Sequence, residues 1–389
     1  MRPSPTATAR KELDLLSRTG LGVGPIAPSL TRLISLIVGA DACLIAWYDE
    51  RGVPIGFFHD AAPLALEALF LNNYRELFMA PNEFNIFNIS KLGGPAVGHL
   101  LYPSQDYFKS NTFNLLIKPC HHHHSLDARV DVAGVPRIGL GLFRAKAQPF
   151  NLANVQTLEA LIPVLKQIVA RAPFAVSLGE SAAESGHFLV SADGQRITLH
   201  SEQAVHLLRL AKLFDQGVGM MGSEPSPPLF IKQLCQQLRT RTHTPPDAPV
   251  KAVLDVVGGS LAITAQWMTP MVDSAAGGVA VAVGVADASN PPAQANILIT
   301  LTLQKPAAIH IVRGIAAFGL SPLQSQIAMF AAAGGSRSAC AQKHAVSAEA
   351  LKKHLREIYA ASCCTDWLEL AQTLRVPARG GREATGLYH

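Results

Sequence analysis

Two groups of residues in this chain have the types and spacing to do chemistry. The first is Cys120 with His121, His122, His123 and His124, directly after Lys118 and Pro119. Thiolate and imidazole ligate zinc at about 2.0 to 2.3 Å, and a cysteine beside a proline can also serve a haem iron. Consecutive histidines project in diverging directions, so at most two from one strand or helix face can meet one ion, and a site would need ligands from elsewhere in the chain. The run falls between two strand-like segments, and the plain reading is an exposed loop with no resident cofactor. The second group is Lys352, Lys353 and Arg356, which lie within about 100° of one another on a helix whose other arc carries Leu351, Leu355 and Ile358. One arc packs and the other is cationic, an arrangement that suits a polyanion such as nucleic acid.

The elements that must hold those cations follow from the neighbouring residues. Leu320, Ser321 and Pro322 place a capping hydroxyl and a first-turn proline ahead of a helix whose Ile327, Phe330 and Ala331 recur at helical spacing, and Gly334 with Gly335 stops it. Ser336 can cap a second, short helix running through Lys343. Ser347 caps a third, with Glu349 in its first turn near the positive end of the helix dipole. Two short helices joined by the turn HAVS make a helix-turn-helix. Periodicity alone leaves a second reading open, a helical bundle whose cations merely solvate a surface.

From Leu320 to about Leu370 the chain resembles, without a gap, the LuxR-type helix-turn-helix of bacterial transcription regulators. The residues that carry the resemblance are LSP at 320 to 322, Gly334, Ser336, Ala341, Val346, Ser347, the run LKKHLREIY at 351 to 359, and Glu369 with Leu370. It implies that Lys352, Lys353 and Arg356 contact bases and phosphates and that His354 stands where a histidine is common; Lys343 and Arg337 are then expected to neutralise phosphates, and Ser347 completes the expected DNA-binding set. It also implies a homodimer, paired through Trp367, Leu370, Ala371 and Leu374 of a fourth helix, the other reading of Trp367 being packing inside its own monomer. The chain departs from the pattern at Leu323, Gln324 and Ser325, where charged residues are usual. His344 replaces a core leucine, Ala345 the turn glycine, and Trp367 a frequent arginine. An alanine at φ > 0 and a core histidine needing a partner each cost on the order of 1 kcal/mol.

The bulk properties agree with a cationic footprint that is local. The net charge is only +5, yet between 337 and 356 Arg337, Lys343, Lys352, Lys353 and Arg356 stand against the single acid Glu349. With 389 residues, 49% hydrophobic and 16% charged, the chain is globular and long enough for two to three domains. Cys43, Cys120, Cys235, Cys340, Cys363 and Cys364 show no bridging pattern, so reduced thiols are expected. The opening MRPSPTATARKELDLL lacks an apolar export core, and no apolar run approaches the roughly 20 residues that span a bilayer, so a cytoplasmic protein without a membrane partner is expected. GxSxG, P-loop, HExxH and dinucleotide fingerprints are missing from the sequence, and the glycine pairs at 93, 258 and 277 lack a phosphate-binding context. His59 with Asp60, and His310, have no companions at ligand or catalytic spacing. The chain does not read as an enzyme.

The remainder has a legible order. A helix is expected over SLTRLISLIVGA, then a hairpin from 41 to 60 about Glu50, Arg51 and Gly52, a helix over 62 to 79, strands near 112 to 118, 127 to 133 and 136 to 144, and a long helix over 151 to 171. This order, with the segment GVPRIGLGLFRAKAQPFNLANVQTLEALIPVL, is similar to GAF-like sensor domains. Such a fold permits a small-molecule pocket, for which Trp47, Tyr48, Phe57, Phe58, Tyr74 and Phe78 supply aromatic residues. After the linker APFAVSLGESAAESG come a strand, a turn at Asp193 and Gly194, a second strand and a helix capped by Ser201, the opening of a PAS-like domain. The runs VKAVLDVV, SLAITAQWM, GGVAVAVGVA and ANILITLTL supply its further strands. The expected fold class is therefore α+β and multidomain. A flexible tail (1–25), with one possible helix at 9 to 18, precedes a GAF-like sensor domain (26–173) and a PAS-like domain (185–305). A connector (306–319) then leads to a four-helix LuxR-type DNA-binding domain (320–376) and a second tail (377–389). The expected function is a one-component transcription regulator acting on double-stranded DNA. The alternatives are a DNA-binding-deficient protein-interaction partner, or a metal or haem sensor using Cys120 and His121 to His124.

Overall fold

Period-two alternation builds the first of two antiparallel sheets. The protein is described from a computed structural model that covers residues 4–60, 62–89, 91, 95–170, 180–211, 226–240, 249–268 and 296–376. It is α+β and divides into two compact units, residues 1–179 with 306–389, and residues 180–305. In the first unit, β1 (Ala42–Tyr48), β2 (Pro54–His59), β3 (His124–Val132) and β4 (Val135–Arg144) pair in the order β2-β1-β4-β3. The Asp49 carboxylate accepts the N–H groups of Arg51 and Val53 at 2.8 Å and so closes the first hairpin. Ala133 and Gly134, at φ 52° and 79°, close the second.

Successive side chains of β1 point to opposite faces. Ala42, Leu44 and Ala46 join buried clusters with the segment 69–117. Trp47 faces α2 (Val23–Val38), where its ring lies 3.5 Å from the position a Gly24 Cβ would take. α2 begins six residues earlier than the helix expected from SLTRLISLIVGA, with Pro25 in the first turn, where a missing N–H is tolerated, and Pro28 inside the helix, where it removes one backbone hydrogen bond.

Most of the stretch expected as an N-terminal tail is a packed helix. Ser4 caps α1 (Pro5–Ser17), and Ala9, Leu13 and Leu16 at i, i+4 and i+7 are buried against α2 and other helices of the unit. The helix expected over 62–79 is divided at Asn73 into α3 (Leu64–Asn72) and α4 (Tyr74–Leu77), followed by α5 (Ile86–Ile89). The strand expected at 112–118 is helical: Thr112–Ile117 forms one wide π-type turn, and Lys118–Cys120 a tight 3₁₀ turn. The cause is Glu83, a buried carboxylate that accepts the backbone N–H groups of Asn111 and Thr112 at 2.7 Å and the Thr112 hydroxyl at 2.5 Å. It thereby fixes the start of a helix where an isolated apolar run reads as a strand. The long closing helix is two, α6 (Leu152–Glu159) and α7 (Ile162–Ala170), broken just ahead of Pro163.

The second unit contains β5 (Glu180–Ser191), β6 (Ile197–His200), α8 (Glu202–Leu210), α9 (Leu229–Thr240), β7 (Val250–Val256), β8 (Gly259–Met268) and β9 (Asn296–Pro306). Its sheet runs β6-β5-β9-β8-β7, so the first strand pairs with both the second and the last. β5 starts inside the stretch expected as linker. Gly194 turns at φ 76°, and the Ser201 hydroxyl accepts the Ala204 N–H at 3.2 Å, as the local residues required. The run GGVAVAVGVA and residues 377–389 lie outside the described residues. Phe188, Val190, Leu207, Ile231, Ile263 and Leu301 are among the buried core of this unit.

The chain returns to the first unit through α10 (Ala307–Ala317), then α11 (Pro322–Ala332), α12 (Arg337–Lys343), α13 (Ala348–Ser362) and α14 (Trp367–Arg375). The expected connector is thus a packed helix. Ala308, Ile311, Val312 and Ile315 are buried, and α10 touches α1 on one side and α11 and α14 on the other. Glu12 on α1 accepts a 2.5 Å hydrogen bond from Arg32 on α2 and lies 3.6 Å from Arg313 on α10. Among the described residues no helix is long and apolar enough to cross a membrane.

Candidate nucleic-acid interface

The helical ends in the region 320–376 are set by single side chains. Ser321, Ser336 and Ser347 each accept the backbone N–H three residues on, at 3.1 to 3.4 Å, and Asp366 caps α14. Gly334 turns at φ 83° after α11. Between α12 and α13 the turn residue Ala345 is held at φ 51°, the left-handed region expected for a glycine. Ala345 is exposed. Ala345→Gly should therefore raise the unfolding free energy by about 0.5 to 1 kcal/mol, relief of left-handed strain outweighing the added freedom of the unfolded chain. Urea unfolding of the two proteins checks this, and a loss of stability would show that the alanine is not strained.

α13 presents two arcs. Leu351, Leu355 and Ile358 are buried, while Lys352, Lys353 and Arg356 are exposed, and among the described residues none of the three forms an ion pair. The other expected contacts are held differently. Arg337, at the start of α12, donates from Nη2 to the Tyr359 hydroxyl at 3.3 Å and so ties α12 to α13. The Lys343 ammonium lies 5.2 Å over the Phe330 ring, a cation–π distance, and the Ser347 hydroxyl is engaged as a cap. Gln324 donates to Glu357, linking α11 to α13.

His344 occupies the partly buried position where a leucine was expected. Its ring meets Phe330 edge-on at 6.2 Å, and its Nε2 is buried without a hydrogen-bond partner among the described residues. Burial, and then the Lys343 charge, push its pKa below the ordinary histidine range, so the ring is neutral and behaves as a packing group.

Two leucines of the expected dimer face are already covered within one copy. Leu370 and Leu374 are buried within one copy, α14 packing on α10 and α11, and the Trp367 indole N–H donates to the Gly335 carbonyl at 2.9 Å. Arg375 closes the same seam by donating to the Ala332 carbonyl at 2.6 Å. The presence of α10 is the reason: it supplies an apolar partner to residues that the four-helix pattern alone leaves uncovered.

The cysteine and histidine run does not converge. His121 sits at φ 61° and is exposed. The His122 ring stacks on Phe143 at 5.6 Å, and that of His123 on Phe108 at 5.4 Å. His124 Nε2 is 3.0 Å from the Lys146 carbonyl, and burial raises the Cys120 pKa. Among the described residues no three His, Cys, Asp or Glu side chains are placed to hold a metal ion. His310 Nε2 is 2.9 Å from the Arg375 carbonyl at the end of α14.

Two of the histidines instead border a cavity of about 110 Å³ between the first sheet and its irregular cover. Phe57, Phe70, Phe84 and Phe143 line it with His59 and His122. Of the six aromatic residues expected to line a pocket only Phe57 does so. Tyr48 and Phe78 belong to the buried cluster, and Trp47 lies on the opposite face. His59 stacks on Phe143 at 5.5 Å, and burial, with a smaller contribution from His122, lowers its pKa to about 4. Most of the lining is not legible in the sequence, because residues such as Leu44, Phe84, Ser125 and Phe143 come from separate segments of the chain.

No protein-family model and no curated protein sequence matches the chain. Among solved structures it is similar to one described as the sensor region of a sensor histidine kinase, at 10% identity and a TM-score of 0.18, over 71% of this chain and 92% of that one. It is also similar to a chain of the E. coli DhaR(N)-DhaL complex, at 14% identity and a TM-score of 0.21, over 77% of this chain and 90% of that one. Likeness at this level leaves the assignment to the residues themselves.

Proposed function

We propose that the chain is a DNA-binding transcription regulator whose helix 348–362 enters the major groove under the control of two sensor domains, GAF-like at the front and PAS-like in the middle. The observation that carries the reading is the cationic arc of α13, three long side chains exposed and, among the described residues, without ion pairs, opposite a buried apolar arc and after the short turn that joins α12 to α13. A cation pointed at guanine O6 and N7 discriminates by about 1 to 3 kcal/mol per bidentate contact. The remaining cations position the helix on phosphates. The α1 and α10 packing supports a route from sensor to DNA, since α1 touches both α2 under the first sheet and α10 beside α11 and α14. Pairing of two copies would set half-sites about one helical turn apart, and it would have to use residues other than the buried Leu370 and Leu374.

Selection of bound sequences from random duplex DNA with the full chain tests this. A shared motif should emerge, and binding should weaken with salt by a slope of about 0.9 in log K for each phosphate contact. Recovery of no motif, with binding indifferent to salt, would sink the proposal.

A further inference from the structure

We propose that Glu349 reads a base, accepting a hydrogen bond from a cytosine amino group in the major groove, so that the selected duplex carries guanines at the three cations and one fixed C·G pair beside them. This rests on the DNA-binding proposal and names the substrate class of that same site. Position comes first. Glu349 is the second residue of α13 and is exposed, and in a helix-turn-helix the N-terminal residues of the second helix contact base edges. With about 100° between successive residues, Lys352, Lys353 and Arg356 all fall within about 60° of Glu349, so the acid stands on the cationic arc itself. From Glu349 to Arg356 the arc rises about 10 Å, the length of about three base-pair steps.

Access comes second. Ala345 and Ala348, on either side of the Ser347 cap, are exposed and short, so this end of α13 can approach a groove floor closely with Glu349 as its one long polar side chain. The carboxylate is also uncommitted. Glu357, the other acid of α13, takes the Gln324 amide, whereas among the described residues the Glu349 side chain enters no hydrogen bond or ion pair. A first-turn acid suits the positive end of the helix dipole as well, but that gain asks nothing of DNA and leaves base preference untouched.

Chemistry comes third. In the major groove guanine and thymine present acceptors, which repel a carboxylate; adenine sets its amino donor beside the N7 acceptor, and cytosine shows an amino donor with no acceptor next to it. A carboxylate therefore selects cytosine, while lysine and arginine select guanine O6 and N7. α13 holds no asparagine or glutamine that would read adenine. An acid on a DNA-facing arc weakens attraction to phosphates on every sequence and is offset only where it meets a base-edge donor, so it contributes discrimination rather than affinity.

The test is selection from random duplex DNA with the full-length natural chain, Glu349→Gln and Glu349→Ala, followed by competition between the selected duplexes. The natural chain should recover guanines with one fixed C·G pair, preferring it to A·T at that position by about tenfold. Glu349→Gln, whose amide matches adenine N6 and N7, should turn that one pair to A·T and leave the others as they were. Glu349→Ala should leave the position undetermined. The same bases at every position from all three proteins would overturn the inference, and so would a change in melting temperature with unaltered base preference, the mark of a helix cap alone. Either result leaves the DNA-binding proposal standing, because the natural chain still selects a motif. No motif from the natural chain ends both.

Discussion

Replacing Lys352, Lys353 and Arg356 together by alanine should leave the chain folded and weaken its binding to a selected DNA duplex by at least a hundredfold at about 0.1 M salt. Stability should hardly change. All three side chains are exposed, and the apolar arc beneath them, Leu351, Leu355 and Ile358, is untouched. Affinity should fall steeply because three contacts at even about 1 kcal/mol each multiply to more than a hundredfold. The manner of the loss separates the roles. Cations that read bases lose discrimination at particular positions, whereas cations on phosphates lose affinity evenly and lower the salt slope by about 0.9 apiece. Lys343→Ala should do much less, since its ammonium lies over Phe330 rather than on the open arc. Fluorescence anisotropy with the selected duplex over a salt series decides the matter. Equal affinity of the triple variant and the natural chain would end the DNA-binding reading.

What could be read from the residues in advance was local chemistry. The caps at Ser321, Ser336 and Ser347, the stop at Gly334, the left-handed turn at Ala345 and the two arcs of α13 all depend on neighbours a few positions away. Long-range partners were not legible. Thr112–Ile117 reads as a strand until Glu83, about thirty residues earlier, takes its N–H groups. Leu370 and Leu374 read as part of a dimer face until α14 is packed on α10 and α11. The opening stretch reads as a polar tail with one possible helix, because the partners of its Ala9, Leu13 and Leu16 stripe, α2, α7 and α10, are distant in sequence. α9 went unassigned, yet Ile231, Leu234, Cys235 and Leu238 after Pro227 and Pro228 carried the helical period, and a capping hydroxyl was the missing cue. His59 looked solitary because Phe143 and His122, the rings around it, are far off in sequence.

His59 also sets the second large effect, a loss of stability as the pH falls from about 6.5 to about 4. In the folded chain burial holds its pKa at about 4, while an unfolded histidine titrates near about 6.5. Between those values the unfolded state binds the proton and the folded state does not, so stability is full above the unfolded pKa and declines as acid is added. The gap corresponds to about 3 kcal/mol, to be lost by the time the pH reaches the folded value. His122, also shifted downward chiefly by burial, acts in the same direction. Asp60, whose carboxylate lies 3.9 Å from His59 and accepts the Cys43 N–H at 2.9 Å, is shifted upward by burial, as is Asp127. Both therefore take up protons more readily when folded and oppose the loss just above the ordinary carboxylate range. Urea unfolding at a series of pH values should show the decline begin well before the carboxylates titrate. His59→Phe preserves a ring against Phe143 and removes the titrating group, so its stability should change far less between pH 6.5 and 4.5. If the variant and the natural chain declined in parallel, His59 would not be the group held neutral in the wall of the cavity, and the desolvated environment assigned to it would be wrong.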